Sequence, residues 1–388
     1  MNENKIGIIG AGRLGICFAL LLEKAGYNII ASDINKEYVE QLNNKQINTH
    51  EPGVSELLKK SVNIAFTNDN KEVLKKCKFI YVMVATPSLS DGSYDTSDIE
   101  QIISDIQNCD FSLKNKTLVI GCTTNPGDCE TIQKKINKFE MNVLYNPEFI
   151  AQGSIIHDLQ NSDIVLVGGE NKSVIDEYVK LYGDIQSSNL NVHTMSLTAA
   201  ELVKISINSF LTFKISFANM IGEVLTSSKL DKDIDSVLAA IGNDKRIGTK
   251  YLKYGFGYGG PCLPRDNRSL AHYFEKIGLN FPLGNIIDKF NQDHVIFLTD
   301  QLIKNNEDNL PFFIESITYK KNSDIIEESQ QLQLCKNLLA RGYTVYVEDT
   351  NLLSDSFKNH LKNNYKNLFF VSHKELLDKN ISVYEITL

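Results

Sequence analysis

Residues 5–33 leave few choices of fold. An apolar run, 5–10, stops at Gly10-Ala11-Gly12-Arg13-Leu14-Gly15; a helical pattern from Cys17 to Lys24 closes at Gly26; a second apolar run, 28–33, ends in Asp33. Strand, glycine turn, helix and strand in that order make a parallel βαβ unit. Gly10 permits the tight turn, Gly12 lets the backbone approach a pyrophosphate, and Gly15 allows helix to pack on strand. The helix N-terminus then faces phosphates. Asp33 follows Gly10 by 23 residues, where a carboxylate accepts from a ribose 2′-OH and repels a 2′-phosphate, which favours NAD over NADP. A glycine-rich turn that binds nothing is the alternative.

The alternation continues. Further strand candidates are 62–66, 79–84, 117–121, 142–145, 164–168 and 191–195, several nearly continuous in Val and Ile, as strands buried on both faces should be. At Leu197 the pattern becomes helical for some 30 residues without proline. Thr198 reads as its N-cap, with Glu201 completing a capping box. More helix runs to about Ile241, then a glycine-rich stretch, 255–260, then helix to about Lys276. From Leu310 the α/β alternation returns: strand 311–317, helix 325–340, strand 343–348, helix 354–363, strands 367–371 and 381–386. The expected fold is α/β, with two Rossmann-like doubly wound domains joined by a central helical domain with one long helix. The expected divisions are 1–196, 197–295 and 296–388.

A length of 388 residues suits two or three domains, and 42% apolar content supports real cores. A net charge of -8 without any long Lys/Arg block argues against nucleic acid. No apolar run is long enough for a membrane span, and the strand pattern beginning at Lys5 leaves no room for a signal peptide. Seven cysteines at irregular positions, with no zinc-type pair, suggest reduced thiols in the cytoplasm and no metal.

One thiol differs from the others. Cys262 lies in Gly255-Phe256-Gly257-Tyr258-Gly259-Gly260-Pro261-Cys262-Leu263-Pro264-Arg265-Asp266. Glycines and prolines make a fixed, backbone-exposing loop, and Pro264 is well placed as the first residue of the next helix. Cys262 then precedes a helix N-terminus, whose positive end favours thiolate. The other six cysteines read as inert. Lys204 and Asn208 are i and i+4 on the long helix, so an ammonium and an amide share a face and can bind an oxyanion; from spacing alone they also read as solvated surface residues. Val84-Ala85-Thr86-Pro87 follows a strand whose carboxyl end faces the cofactor crevice, or Thr86-Pro87 simply ends that strand. Asn146-Pro147-Glu148-Phe149 and Thr123-Thr124-Asn125-Pro126-Gly127 set a carboxylate and hydroxyls after two further strands.

Taken together these segments resemble the UDP-glucose/GDP-mannose dehydrogenase family, in order and over most of the chain. The glycine motif is joined by Glu51-Pro52-Gly53, by Val84 to Pro87, by NPEFIAQG at 146–153 with His157-Asp158-Leu159 beyond, and by AELVKISINSFLTFKISFAN at 200–219. Arg246-Ile247-Gly248, followed by GYGGPCLPRD, is similar to the family's catalytic-cysteine signature. The resemblance implies NAD-dependent four-electron oxidation of a nucleotide sugar, UDP-glucose foremost, with GDP-mannose or another UDP-sugar as the alternative, by a homodimer. Cys262 would be the nucleophile, and Lys204 and Asn208 would stabilise the oxyanion. Asp266 would move protons, Glu148 would be the hydrolytic base, and Thr124, or Thr123 beside it, would hold the water. Gly10, Ala11, Gly12, Arg13, Leu14, Gly15, Asp33, Thr86, Thr124 and Gln152 would bind cofactor. Phe149, Ile150, Lys204, Asn208, Arg246, Tyr251, Gly259 and Lys320 would bind the sugar nucleotide, with Tyr319 beside Lys320. The chain departs from the family at Gln152, Met220, Glu327 and Tyr38, and at Phe312-Phe313-Ile314-Glu315-Ser316, which lacks a glycine-rich strand end. A single-step hydride enzyme and a non-catalytic binding protein are the other classes; two NADH per sugar, one, or none would separate them.

Overall fold

The computed structural model describes residues 5–49, 51–150, 153–187, 190–280, 282–320, 323–349 and 352–387; Gln152 lies outside the described residues. The chain divides into two compact units, and the division falls between Ile205 and Ser206, inside one helix, Leu197–Ser227.

The first unit is built on an eight-stranded sheet of β1 (Lys5–Ile9), β2 (Asn28–Ser32), β3 (Ile64–Thr67), β4 (Phe79–Val82), β5 (Thr117–Ile120), β6 (Asn142–Tyr145), β7 (Val165–Gly168) and β8 (Val192–Met195). All eight expected strands are present. Their order is β3-β2-β1-β4-β5-β6-β7-β8, parallel except where β6 meets β7 at Tyr145 and Gly168. β4, β5 and β7 are buried at every position, because helices cover both faces. Side chains alternate between two cores: Ile8 and Tyr81 join Phe18, Leu21 and Tyr178 on one face, while Ile9, Ile80 and Val82 join Ile102 and Ile132 on the other. Each such residue contributes about 1.5–3 kcal/mol by burial. The strand order reverses between β1 and β4, and in sheets of this kind the crevice outside the carboxyl ends at that point takes the ligand.

Two local expectations need correcting. The first helix is Arg13–Lys24, starting ahead of Cys17, because Gly12 in extended backbone caps it and Ile16 N–H already donates to the Gly12 carbonyl at 2.9 Å. The long helix does not use the Thr198 capping box. Its first bond runs from Ala200 N–H to the Ser196 carbonyl, the Thr198 hydroxyl donates to Glu130 Oε1 at 2.7 Å, and the Glu201 carboxylate is taken by donors far away in sequence.

The second unit contains the helices Ile234–Gly242, Leu263–Lys276 and Leu283–Asn305 and a parallel sheet of β9 (Phe312–Ile314), β10 (Val345–Glu348), β11 (Leu368–Val371) and β12 (Tyr384–Glu385), in the order β11-β10-β9-β12. Phe312, Ile314, Val345 and Val347 meet Leu334, Leu338 and Leu298 in its core. The strand read as 311–317 ends at Ile314, where Ser316 and Thr318 turn the chain through a 2.7 Å hydroxyl pair. The helix read as 325–340 starts only at Gln330. Ser329 caps it by accepting from Leu332 N–H, and Glu328 before it has φ +48°, which no helix continues through. Among the described residues no helix is long and apolar enough to cross a membrane.

Candidate active site

In the first unit the three glycines of the turn are held for three different reasons. Gly10 has φ +98°, and a Cβ there would stand 2.4 Å from the Met83 carbonyl oxygen at the end of β4. Its N–H and that of Ala11 both donate to the Ser32 carbonyl, at 2.9 and 3.1 Å. A Cβ on Gly15 would lie 2.0 Å from the Gly10 carbonyl oxygen, so helix and turn touch backbone to backbone. A Cβ on Gly12 would meet nothing within 4 Å. That bare face, at the N-cap of the Arg13–Lys24 helix, is the cradle a pyrophosphate needs. Arg13 is exposed, Leu14 packs against the core, and Asp33 lies just past β2 with Oδ1 accepting from Asn35 N–H at 3.0 Å. Thr86 is buried beyond β4. These residues fit NAD.

A second group gathers around the start of the long helix. Lys204, 8% exposed, donates to the Glu148 backbone carbonyl at 2.9 Å and lies 4.8 Å from the centre of the Phe149 ring. The Tyr182 hydroxyl faces both Glu148 carboxylate oxygens, at 3.2 and 3.1 Å. Burial pushes the Glu148 carboxyl up to about 7, against the Tyr182 hydrogen bond and the Lys204 charge, which pull it down. Ile150, next in the chain, is half-buried.

Thr124 is fully buried and donates to Glu201 Oε1 at 2.7 Å, so it meets any further partner as an acceptor. Glu201 also accepts from Gly127 N–H at 2.7 Å and Cys129 N–H at 2.9 Å, which makes it the cap of the Asp128–Ile136 helix. Burial raises the Glu201 carboxyl, and these bonds oppose the rise. Thr123 is also buried.

In the second unit Cys262 is exposed and stands at the N-cap of the Leu263–Lys276 helix, with proline in the first turn. Its loop is walled on three sides. A Cβ on Gly257 would lie 2.1 Å from Asn291 Oδ1, one on Gly259 2.4 Å from the Glu328 carbonyl oxygen, and one on Gly260, at φ +79°, 2.6 Å from the Tyr319 ring. Gly260 N–H donates to the Glu327 carbonyl at 3.0 Å. Burial raises the Tyr319 phenol, with Cys262 a lesser cause. One turn past Cys262, Asp266 is wholly buried. It accepts from Asn208 Nδ2 at 2.6 Å, and Arg265 Nε lies 3.3 Å from its other oxygen.

The remaining sugar-nucleotide candidates are surface groups. Arg246 forks onto Asp244, with Nε 3.0 Å from Oδ1 and Nη2 2.6 Å from Oδ2. Tyr251 is half exposed at φ +63°, and Lys320 is exposed beyond the Ser316–Thr318 turn. From sequence Tyr182 has no role, Glu201 reads as a capping-box residue and Glu51 as part of a motif, because the partners they take are distant in the chain. The Glu51 carboxylate accepts from Gly153 N–H at 2.9 Å and Ile155 N–H at 2.6 Å, which ties the far end of the Glu148 loop. Only the EPG spelling pointed toward Glu51.

The NAD-binding domain model of the UDP-glucose/GDP-mannose dehydrogenase family matches residues 4–186, and the same family's central-domain model matches residues 198–293. A putative UDP-glucose 6-dehydrogenase of Bacillus subtilis, YtcA, is 29% identical over 92% of this chain and 84% of its own. The UDP-glucose 6-dehydrogenase of Rickettsia bellii is 28% identical over 91% and 82%. In fold, a UDP-glucose dehydrogenase structure from Pyrobaculum islandicum aligns with a TM-score of 0.83 over 98% of this chain and 88% of that one, at 24% identity. A UDP-D-ManNAc dehydrogenase structure from Pyrococcus horikoshii aligns with a TM-score of 0.76 over 90% and 84%, at 21% identity. With both family models matched in order around a turn built for NAD, this chain belongs to the UDP-glucose/GDP-mannose dehydrogenase family of NAD-dependent oxidoreductases.

Proposed function

We propose that this protein oxidises the sugar CH2OH of UDP-glucose to a carboxylate in two steps, through a thioester on Cys262. The observation that carries the reading is an exposed thiol at a helix N-cap, on a loop whose glycines are sterically enforced, one turn from a buried Asp266 paired with Asn208. NAD, when bound, supplies the hydride acceptor for both oxidations. Cys262 Sγ adds to the aldehyde carbon, a C–S bond forms, and the carbonyl oxygen becomes the oxyanion that Lys204 and Asn208 stabilise. After the second oxidation, water attacks the thioester carbon, its proton goes to Glu148, the C–S bond breaks, and the thiolate returns to Cys262. Asp266 steadies the amide of Asn208 and helps pass on the hydroxyl proton released in the first oxidation. Thr124, or Thr123, holds the water; Phe149, Ile150, Arg246, Tyr251, Gly259, Tyr319 and Lys320 contact the sugar nucleotide.

Purified protein with NAD and limiting UDP-glucose should yield two NADH per sugar. One NADH would mark a single-step enzyme. None with UDP-glucose, GDP-mannose or N-acetylated UDP-sugars would mark a binding protein.

The same reading includes a homodimer through the central helices of 197–295. The long helix leaves Phe210, Phe213, Met220 and Val224 exposed at 62, 38, 41 and 61%, spaced with half-buried Phe217 in steps of three and four, the seam a second helix would cover. Sedimentation should give a dimer, and Phe210→Ser with Val224→Ser a monomer; a monomeric native protein would refute the pairing.

A further inference from the structure

The loop that carries Cys262 has a root as well as walls, and the root is built around a buried histidine. His294, on the Leu283–Asn305 helix, is 1% exposed. Its Nδ1 lies 2.6 Å from Glu223 Oε1 on the long helix, and its Nε2 lies 2.7 Å from the Gly255 carbonyl oxygen, where the loop begins. The Phe290 ring stacks on the imidazole at 5.8 Å between centroids, and the Tyr254 ring meets its face edge-on at 5.9 Å. The other end of the Gly255 residue is held too, its N–H donating to Asn219 Oδ1 at 3.1 Å. Three residues on, Asn291 takes both polar groups of Tyr258, accepting from its N–H at 3.0 Å and donating to its carbonyl at 2.9 Å. The clamp therefore comes from two helices: Asn219 and Glu223 are i and i+4 on one, Asn291 and His294 i and i+3 on the other, so each pair projects from a single face.

The ring thus stands between a carboxylate oxygen on the long helix and a carbonyl oxygen of the loop. We propose that His294 is a positioning residue for the thiol loop, tying the Gly255 carbonyl to Glu223 through its ring so that the loop presenting Cys262 stays fixed to the two helices. The proposal rests on Cys262 as the nucleophile for its meaning, but not for its test.

Rescue by a hydrogen-bonding side chain separates this role from simple packing. The experiment is hydrogen exchange of the full chain at one pH, read on peptides covering residues 255–262. His294→Ala should loosen the loop, its protection falling by about tenfold, the equivalent of one hydrogen bond. His294→Gln, which retains a donor toward Gly255, should recover part of the protection, whereas His294→Leu, which fills space without a donor, should not. Exchange on β1, β4 and β5 serves as the control and should not move. An unchanged loop in His294→Ala, or equal protection in His294→Gln and His294→Leu, would overturn the proposal. Should His294→Ala fail to fold, the Gln and Leu variants still decide it. Absence of NADH formation with nucleotide sugars would defeat the functional reading and leave the exchange result standing.

Discussion

Cys262→Ser is expected to produce no more than one NADH per sugar, and its steady-state turnover should fall ~10^3-fold or more, as for loss of other covalent nucleophiles. The first oxidation needs no sulfur, so aldehyde can still form. The second needs an adduct on the chain, and a serine hydroxyl is a far weaker nucleophile than a thiolate at neutral pH. An exposed side chain at a helix N-cap can be changed from Sγ to Oγ without disturbing a core, so the variant should unfold at the native temperature. Quench experiments with stoichiometric UDP-glucose, read by chromatography of the sugar products, would show the stall. Uronate at two NADH per sugar and at a native rate would remove Cys262 from the mechanism.

The second large effect concerns Glu148. Glu148→Gln removes the proposed base for thioester hydrolysis and should lower turnover by about 10^2–10^4-fold, with sugar trapped on Cys262 and visible by intact mass. In the native protein the base works only when ionised, and burial places its pKa at about 7, so turnover should rise with pH through that value. Tyr182→Phe deletes the hydrogen bond that favours the ionised form and should move this acid limb upward, on the order of one unit. The linkage to stability has a definite sign. The folded carboxyl binds its proton more tightly than the unfolded one, whose ordinary value is 4.5. That stabilisation is complete below the unfolded value and is lost as pH rises through about 7. Glu148→Gln should therefore gain stability relative to the native protein between about pH 5 and 8, on the order of a few kcal/mol. A pH-independent difference in unfolding free energy, or an acid limb that ignores Tyr182→Phe, would refute the assignment.

What could be read from sequence divides along the range of the interactions. Strands β4, β5 and β7 are buried on both faces, so their composition alone betrays them, and the glycine turn is local geometry spelled out in local residues. Cys262 was legible for the same reason: proline and glycine neighbours dictate where the thiol stands. Thr198 and Glu201 show the opposite case. Their spacing meets every local criterion for a capping box, yet Glu201 serves Thr124 and Gly127, 77 and 74 residues away, because a buried carboxylate takes whichever donors the fold presents. Strand β9 was read too long because the apolar Ile317 follows closely on Phe312 to Ile314, with the Ser316–Thr318 turn between them. Nothing near Glu148 in sequence announces Tyr182.

The three walls around the thiol loop carry a consequence for descent. Gly257, Gly259 and Gly260 are each blocked by a different neighbour: an amide side chain, a main-chain carbonyl and an aromatic ring. Replacing Asn291 relaxes Gly257 alone; the wall at Gly259 is main chain, and Gly260 is bound by its φ of +79° as well as by the Tyr319 ring. Divergence through this stretch thus requires several coordinated replacements, each harmful alone. Surface groups proposed to contact the sugar nucleotide, such as Arg246, Tyr251 and Lys320, should change long before these glycines do. The spelling GYGG is in that sense a fossil of its surroundings: it records the shape of three other segments.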